Sequence, residues 1–148
     1  AVPNWNRLFG RKGFYQYQCV IPYEEAPVAI GELIARAAAA RQGSFLSVLK
    51  VFGDHKPCGL LSFPRPGVTL ALDFPNRGAE TLDLLDSLDG ITLQAGGAIY
   101  PAKDARMPAE TFARGFPAWR QFEKYLDGGI MSDFWRRVAG PSTGSAHA

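Results

Sequence analysis

The segment Phe14-Tyr15-Gln16-Tyr17-Gln18-Cys19-Val20-Ile21, residues 14–21, lies between Gly13 and Pro22 and is rich in aromatic and β-branched side chains. Such a segment is typical of a β-strand. From Pro27 to Gln42 the apolar residues recur at i, i+3, i+4, i+7 and i+8, which is the spacing of an amphipathic helix. A strand followed directly by such a helix predicts a sheet with helices packed against it.

Further elements follow along the chain. We predict strands over Phe45–Phe52, Gly59–Phe63 and Val68–Phe74, a second helix over Ala79–Gln94, a short last strand over Ala98–Tyr100 and a helical tail over Pro108–Val138. In the second helix Leu84, Leu85, Leu88 and Ile91 should face inward, and Asp83, Asp86 and Asp89 should face solvent. The order β-α-β-β-β-α-β predicts an α+β fold, in which a mainly antiparallel sheet carries two helices on one face and a C-terminal helical segment follows.

The composition narrows the class of protein. A chain of 148 residues with 47% hydrophobic and 20% charged residues is long enough for one ordinary globular domain. Its net charge of only +2 argues against a protein that holds nucleic acid by bulk electrostatics. Two cysteines and two distant histidines are too few for a disulfide scaffold, and we predict no metal site.

The two ends of the sequence also carry expectations. The chain starts Ala1-Val2-Pro3-Asn4 without Met and continues at once into Trp5, so we expect a fragment of a longer protein. Residues 140–148 are small and polar, which predicts a disordered tail.

Side chains alternate between the faces of a strand, so each predicted strand contributes one nearly apolar set and one mixed set. The apolar sets should lie under the helices, with Leu33, Ile34, Leu84, Leu85 and Leu88 buried against Tyr17, Leu49, Leu70 and Leu72. The mixed face combines polar and apolar side chains: Gln16, Gln18, Lys50, Thr69 and Asp73 among Leu46, Val48 and Phe52. Apolar area with a few convergent polar groups is typical of a ligand-binding wall, but a half-solvated sheet alternates in the same way. The apolar residues on this face indicate that it is covered by another group and is not open to solvent.

A second concentration of polar residues is Tyr100-Pro101-Ala102-Lys103-Asp104-Ala105-Arg106, between the last predicted strand and the helical tail. Three charges within four residues of a loop are typical of functional groups that a rigid scaffold presents. A solvated charged turn would have the same composition, so the residues alone leave both interpretations open.

Five blocks, in order along the chain, resemble known proteins. They are Asn4–Gln18, Phe45–Gly53, Leu61–Pro64, Leu72–Pro75 and Tyr100–Arg106. Together they resemble the C-terminal, substrate-binding part of FAD-linked oxidases of the vanillyl-alcohol oxidase superfamily, and most closely the decaprenylphosphoryl-ribose oxidase-like proteins. The resemblance extends from Asn4 to about Arg137.

The resemblance implies that different domains of a longer polypeptide bind the cofactor and the substrate. An N-terminal FAD-binding domain would bind most of the FAD cofactor, residues 1–100 would form the substrate-binding domain, and residues 101–139 would pack on the FAD-binding domain. The resemblance places Tyr100 and Lys103 beside the flavin as catalytic residues. It places on the substrate wall Gln16, Gln18, Leu46, Val48, Lys50, Phe52 and Thr69, which lie on the mixed face. Thr69 and Ala71 stand where the nearest relatives have Asn and Cys, which leaves the substrate open.

These expectations favour the substrate-binding fragment of an FAD-dependent oxidoreductase that oxidises a sugar-like alcohol by hydride transfer to flavin, the fragment alone being inactive. The alternative is a free-standing ferredoxin-like module that binds a ligand or RNA, although we expect no nucleic-acid partner. Expected partners are the FAD-binding domain, a small sugar-like substrate and other copies of the fragment, since an absent domain would expose apolar surface. We expect the protein in the cytoplasm, with a membrane-peripheral position as the alternative for the full-length protein.

Overall fold

Antiparallel strands and α-helices make up the computed structural model, which describes residues 10–44, 46–104 and 106–139. The described strands are β1 (Phe14–Ile21), β2 (Ser47–Phe52), β3 (Gly67–Pro75) and β4 (Ala98–Ile99). The described α-helices are α1 (Ala26–Ala39), α2 (Ala79–Gln94), α3 (Ala109–Gly115), α4 (Trp119–Phe122) and α5 (Asp133–Ala139). The strands form one antiparallel sheet in the order β2-β3-β1-β4. The predicted α+β fold is confirmed.

Helix α1 ends three residues before its predicted end. The chain leaves the helix after Ala39 and turns through Arg41, whose φ is +51°. This turn directs Gln42 inward, where it is fully buried, donates to the carbonyl of Glu80 at 3.2 Å and accepts from the Thr81 hydroxyl at 2.8 Å. A buried amide needs such partners, so the link to α2 takes the place of the last helical turn.

Both long helices pack on each other and on the same face of the sheet, with α1 against β1 and β3 and α2 against β1 and β4. Most of the residues that we expected beneath them are buried: Leu33, Leu84, Leu85, Leu88, Tyr17, Leu70 and Leu72. Two expectations are wrong, because Ile34 is 51% exposed and Leu49 is 59% exposed. Leu49 belongs to β2 at the sheet edge, which extends beyond the strands that the helices cover.

Helix α2 has the predicted bounds and continues through Gly90. Asp83 and Asp86 face solvent as predicted, but the prediction for Asp89 is wrong, since this residue is only 7% exposed. The loop after β4 brings the Arg106 guanidinium to this side of α2, where it lies 2.9 Å from Asp89 Oδ2 and also pairs with Asp86. Burial raises the pKa of Asp89 even beside that cation.

The prediction of a strand over Gly59–Phe63 is wrong. These residues form a turn, in which the N–H of Ser62 donates to the carbonyl of Gly59 at 3.2 Å. Arg65 then donates to the carbonyls of Ser62 and Phe63, each at 3.3 Å, and to that of Gly115 at 2.8 Å. Because the guanidinium binds these carbonyls, the loop folds back over the sheet instead of pairing as a strand.

The C-terminal segment packs against the rest of the chain in three short helices. Helix α3 contacts β4 and α2, and α5 contacts α3. Phe112 lies at the centre of this packing, with ring centroids 5.3 Å from Phe116 and 5.9 Å from Trp135. This arrangement brings α5 close to the loop that follows β4.

Several predictions fall outside the described residues: the tail at residues 140–148, the start of the first block of resemblance at residues 4–9, and Phe45. Within the described ranges, no helix has the length and apolar character needed to cross a membrane. In the same ranges, no three His, Cys, Asp or Glu side chains form a group that could hold a metal ion.

Candidate functional site

The strand register places the predicted wall residues on one face of the sheet, away from α1 and α2. Gln16 lies opposite Asp73, and Lys50 lies opposite Thr69. Directly opposed residues share a face, and every second residue along a strand returns to it. The face therefore carries Gln16, Gln18, Val48, Lys50, Phe52 and Thr69. Leu46 precedes β2 and is 48% exposed.

Two hydrogen bonds orient the glutamine amides of this face. Gln16 Nε2 donates to Asp73 Oδ1 at 3.1 Å, and Gln18 Nε2 donates to Thr69 Oγ1 at 3.1 Å. Asp73 is 6% exposed and Thr69 is 1% exposed, so both acceptors are fixed in surroundings from which water is excluded. A carboxylate can only accept, so Gln16 must present its NH₂ group to Asp73. The amide oxygens of Gln16 and Gln18 are then the atoms free to accept hydrogen bonds from a ligand.

Aromatic rings cover part of the mixed face. Phe63 is 4% exposed, stacks on Tyr100 with ring centroids 4.5 Å apart, and meets Phe52 edge-on at 6.0 Å. Phe63 was not predicted as a site residue, because the sequence predicts a strand over Gly59–Phe63. The available signal was that Phe63 lies in the block Leu61–Pro64, within a segment rich in Gly and Pro.

A narrow cleft with a volume of about 10 Å³ lies where Gln16 and Gln18 of the wall meet the charged loop. Among the described residues, β4 pairs with β1 at Cys19 and Val20 alone, so the Gln16 end of β1 has space beside it. The cleft is lined by Gln16, Gln18, Tyr100, Lys103, Asp104 and Arg106, and also by Tyr15, Tyr17, Leu85 and Ile99. The other predicted residues of the face, on β2 and β3, are not among its lining residues.

Lys103 ends a 3₁₀ turn, Pro101–Lys103, that directly follows Tyr100. The turn is closed by the N–H of Lys103, which donates to the carbonyl of Tyr100 at 3.2 Å. Tyr100 is itself anchored, because its N–H donates to the carbonyl of Gln18 at 2.8 Å. Within residues 10–44, 46–104 and 106–139, the Lys103 ammonium has no hydrogen bond or ion pair. Its charge is therefore available to a ligand in the cleft.

The carboxylate of Asp104, which also lines the cleft, is bound by donors other than Lys103. Its Oδ2 accepts from the N–H groups of Arg106 at 3.0 Å and Met107 at 2.7 Å, and from Arg137 Nη2 at 2.8 Å. The Asp104 side chain is only 6% exposed. These three donors close the loop after Lys103 and tie it to α5.

Two titratable groups of β1, Cys19 and the cleft residue Tyr17, remain protonated at neutral pH. Burial raises the pKa of the Cys19 thiol to about 11. Burial also raises the pKa of Tyr17 well above its usual value, and its hydroxyl lies 2.8 Å from Thr92 Oγ1. These groups contribute to packing and hydrogen bonding, since neither is poised to exchange a proton near pH 7.

Comparison with known proteins supplies the context for this cleft. No family model matches the chain. The chain is 38% identical over 139 residues to decaprenylphosphoryl-beta-D-ribose oxidase of Mycolicibacterium smegmatis, an alignment that covers 90% of this chain and 30% of that protein. The predicted resemblance is confirmed. The chain is also 32% identical over 113 residues to an uncharacterized protein in the mprA 5′ region of Streptomyces coelicolor, covering 76% of this chain and 30% of that protein. It thus spans somewhat less than a third of the length of each relative.

Proposed function

We propose that this chain is the substrate-binding portion of an FAD-dependent oxidoreductase that oxidises an alcohol on a sugar-like molecule. The observation that carries the proposal is the cleft in which Gln16, Gln18, Tyr100 and Lys103 meet. The 38% identity to an oxidase that acts on a ribose derivative supports it.

The polar atoms of the wall suit a molecule rich in hydroxyl groups. Because their NH₂ groups are directed to Asp73 and Thr69, Gln16 and Gln18 offer amide oxygens that accept from sugar hydroxyls. Lys50 is exposed on β2 and would donate to substrate oxygens, including those of a phosphate. Such a wall combines few polar contacts with apolar area, as ligand sites generally do.

We place the flavin ring beside Lys103, at the mouth of the cleft. Lys103 carries a positive charge without a partner in the described chain, and a cation at this place stabilises negative charge on the reduced ring. Tyr100 and Lys103 would hold the ring edge, and the bound flavin would supply the hydride acceptor. The sequence contains no Gly-rich cradle for the pyrophosphate, so we assign most of the FAD binding to an N-terminal FAD-binding domain of the same polypeptide.

The chemistry of Lys103 limits its role. An ammonium group donates hydrogen bonds and cannot accept a proton. Lys103 would therefore orient the substrate oxygen or stabilise negative charge on the flavin, and it would not be the base that receives the hydroxyl proton.

The alternative of a free-standing RNA-binding module has less support. Sheets that bind RNA stack bases on exposed aromatic rings. Here Phe63 is 4% exposed and stacks on Tyr100, so this ring is already occupied by a protein contact.

Self-association of the chain is a separate proposal. It would use the sheet edge at β2, where Leu49 and Val51 are 59% and 69% exposed.

A chimeric enzyme tests the proposal. The 139-residue segment of the Mycolicibacterium smegmatis oxidase that matches this chain would be replaced by this chain. We expect the chimera to purify with bound flavin and to lose its flavin absorption when the oxidase's own substrate or a sugar alcohol from a panel is added without oxygen. A chimera that binds flavin but keeps its flavin absorption with every alcohol of the panel would contradict the proposal.

A second measurement uses this chain alone. Sugar alcohols and sugar phosphates should shift the side-chain amide NMR signals of Gln16 and Gln18.

A further inference from the structure

We propose that Arg137 of α5 keeps the Lys103 ammonium unpaired and available to a ligand in the cleft by occupying the neighbouring carboxylate of Asp104. Arg137 would thus be a positioning residue that acts on the site from outside the cleft. The inference rests on the role proposed above for Lys103.

Asp104 follows Lys103 in sequence and would be its natural ion-pair partner. The carboxylate instead accepts from Arg137 Nη2 at 2.8 Å and from two backbone N–H groups of the same loop. Because the Asp104 side chain is 6% exposed, its charge is compensated by these protein groups and not by water. Arg137 supplies the positive charge in that set.

Further contacts hold the Arg137 side chain at this point. Its Nε donates to the carbonyl of Met107 at 3.2 Å, and its guanidinium lies 5.5 Å from the centre of the Phe134 ring. A guanidinium is charged at every accessible pH and presents its donors in a fixed planar arrangement. Arg137 therefore offers Asp104 a better-placed cation than the flexible Lys103 ammonium.

The other cation of the loop is also bound by a helix. Arg106 pairs with Asp89 of α2 at 2.9 Å and with Asp86. Within the described ranges, Lys103 is therefore the loop cation that has no carboxylate partner. Loss of Arg137 would leave a buried negative charge one residue from Lys103, and removing one partner of a buried pair is strongly unfavourable. We expect the Lys103 ammonium to pair with Asp104, so that its charge is no longer available to a ligand in the cleft.

The first test uses this chain without flavin. Acetic anhydride modifies free amines, and mass spectrometry measures the rate at each lysine. We expect Arg137→Met to slow modification of Lys103 several-fold, and Arg137→Met with Asp104→Asn to restore it, because the amide has no charge to attract the ammonium. Lys50, exposed on β2, is the internal reference and should react alike in every variant.

Two variants support this test. Arg136→Met is the matched control, because Arg136 lies on the same helix and forms an exposed pair with Asp133 at 2.6 Å. Arg137→Gln, which keeps a donor for the Met107 carbonyl, carries the same expectation as Arg137→Met if the latter fails to fold. An unchanged rate at Lys103 in a folded Arg137 variant would overturn the inference.

The second test uses the chimeric oxidase. Arg137→Met should slow flavin reduction roughly tenfold, the size of a coupling within one ion-pair network, and adding Asp104→Asn should recover most of the loss. A merely structural role predicts a double variant at least as slow as the single variant, and that result would overturn the inference. If Lys103 labelling behaves as expected while the unsubstituted chimera reduces no flavin, the proposed function fails and the control of Lys103 by Arg137 stands.

Discussion

Phe63 stacks on Tyr100 with ring centroids 4.5 Å apart and an angle of 23° between the ring planes. The contact joins the loop before β3 to the residue from which the Pro101–Lys103 turn begins. Phe63 also meets Phe52 of β2 at 6.0 Å, so one buried ring connects the sheet edge to the loop that carries Lys103. The wall and the charged loop are thus parts of one packed unit.

Phe63→Ala should lower the free energy of unfolding by about 3–5 kcal/mol, the usual cost of removing a buried phenylalanine ring. The measurement is urea unfolding of this chain. Leu60→Ala is the control, because Leu60 is in the same loop but 39% exposed, and it should cost less than about 1 kcal/mol. Equal losses for the two variants would show that Phe63 does not anchor the loop.

Thr69→Val should weaken substrate binding with little loss of stability. The valine has nearly the same shape but cannot accept from Gln18 Nε2, so the amide oxygen of Gln18 is no longer held toward the ligand. In the chimeric oxidase we expect KM to rise several-fold and kcat to change little. Thr69→Ser keeps the hydroxyl and should behave like the unsubstituted chimera. If valine and serine give the same KM, the hydrogen bond does not orient Gln18.

Lys103→Ala should slow flavin reduction in the chimera by about 10²–10³-fold, the effect of losing one donor to the transition state. Lys50→Ala should mainly raise KM, because Lys50 would bind substrate and transition state alike. Asp104→Asn should cost less than Lys103→Ala, since an asparagine oxygen can still accept from the N–H groups of Arg106 and Met107. Stopped-flow reduction separates the three variants. Near-normal reduction in Lys103→Ala would leave Lys103 as a structural residue of the loop.

Because of Asp89, the free energy of unfolding should fall as pH rises above 3.8, the ordinary pKa of an Asp side chain. Burial raises the pKa of Asp89 in the folded state, so folded protein binds its proton more tightly than unfolded protein does. Between the unfolded and folded pKa values, the free energy of unfolding therefore decreases with pH on account of this residue, and above the folded pKa the loss is complete.

The test is the difference in unfolding free energy between Asp89→Asn and the unsubstituted chain. We expect this difference to shift in favour of the asparagine variant as pH rises from about 4 toward 7, because only the carboxyl group must lose a proton. Asp83→Asn removes an exposed charge from the same helix and serves as the control. A difference that stays constant with pH in the Asp89 variant would contradict the expectation.

Elements with a strong local pattern were predicted from the sequence. The observed bounds of β1 and α2 are those predicted, since alternation in a strand and the 3.6-residue repeat of a helix depend only on neighbouring residues. Alternation also selected the mixed face, because each strand places every second side chain on the same side. The strand predicted at Gly59–Phe63 failed where Arg65 binds the carbonyls of the loop, a contact that no short-range pattern describes.

The candidate site, like the fold, has some features that the sequence predicted and others that depend on contacts between distant residues. The sequence by itself determined which residue types are present and on which face of each strand they lie. Through the resemblance it also predicted that Tyr100 and Lys103 share a site with Gln16 and Gln18. Only the tertiary structure decided that Phe63 covers this face, that Asp89 is buried beside Arg106, and that Asp104 binds Arg137, which is 33 residues away. Such contacts join residues far apart in the chain, and they form only when the packing of α2, α3 and α5 brings the partners within hydrogen-bond distance.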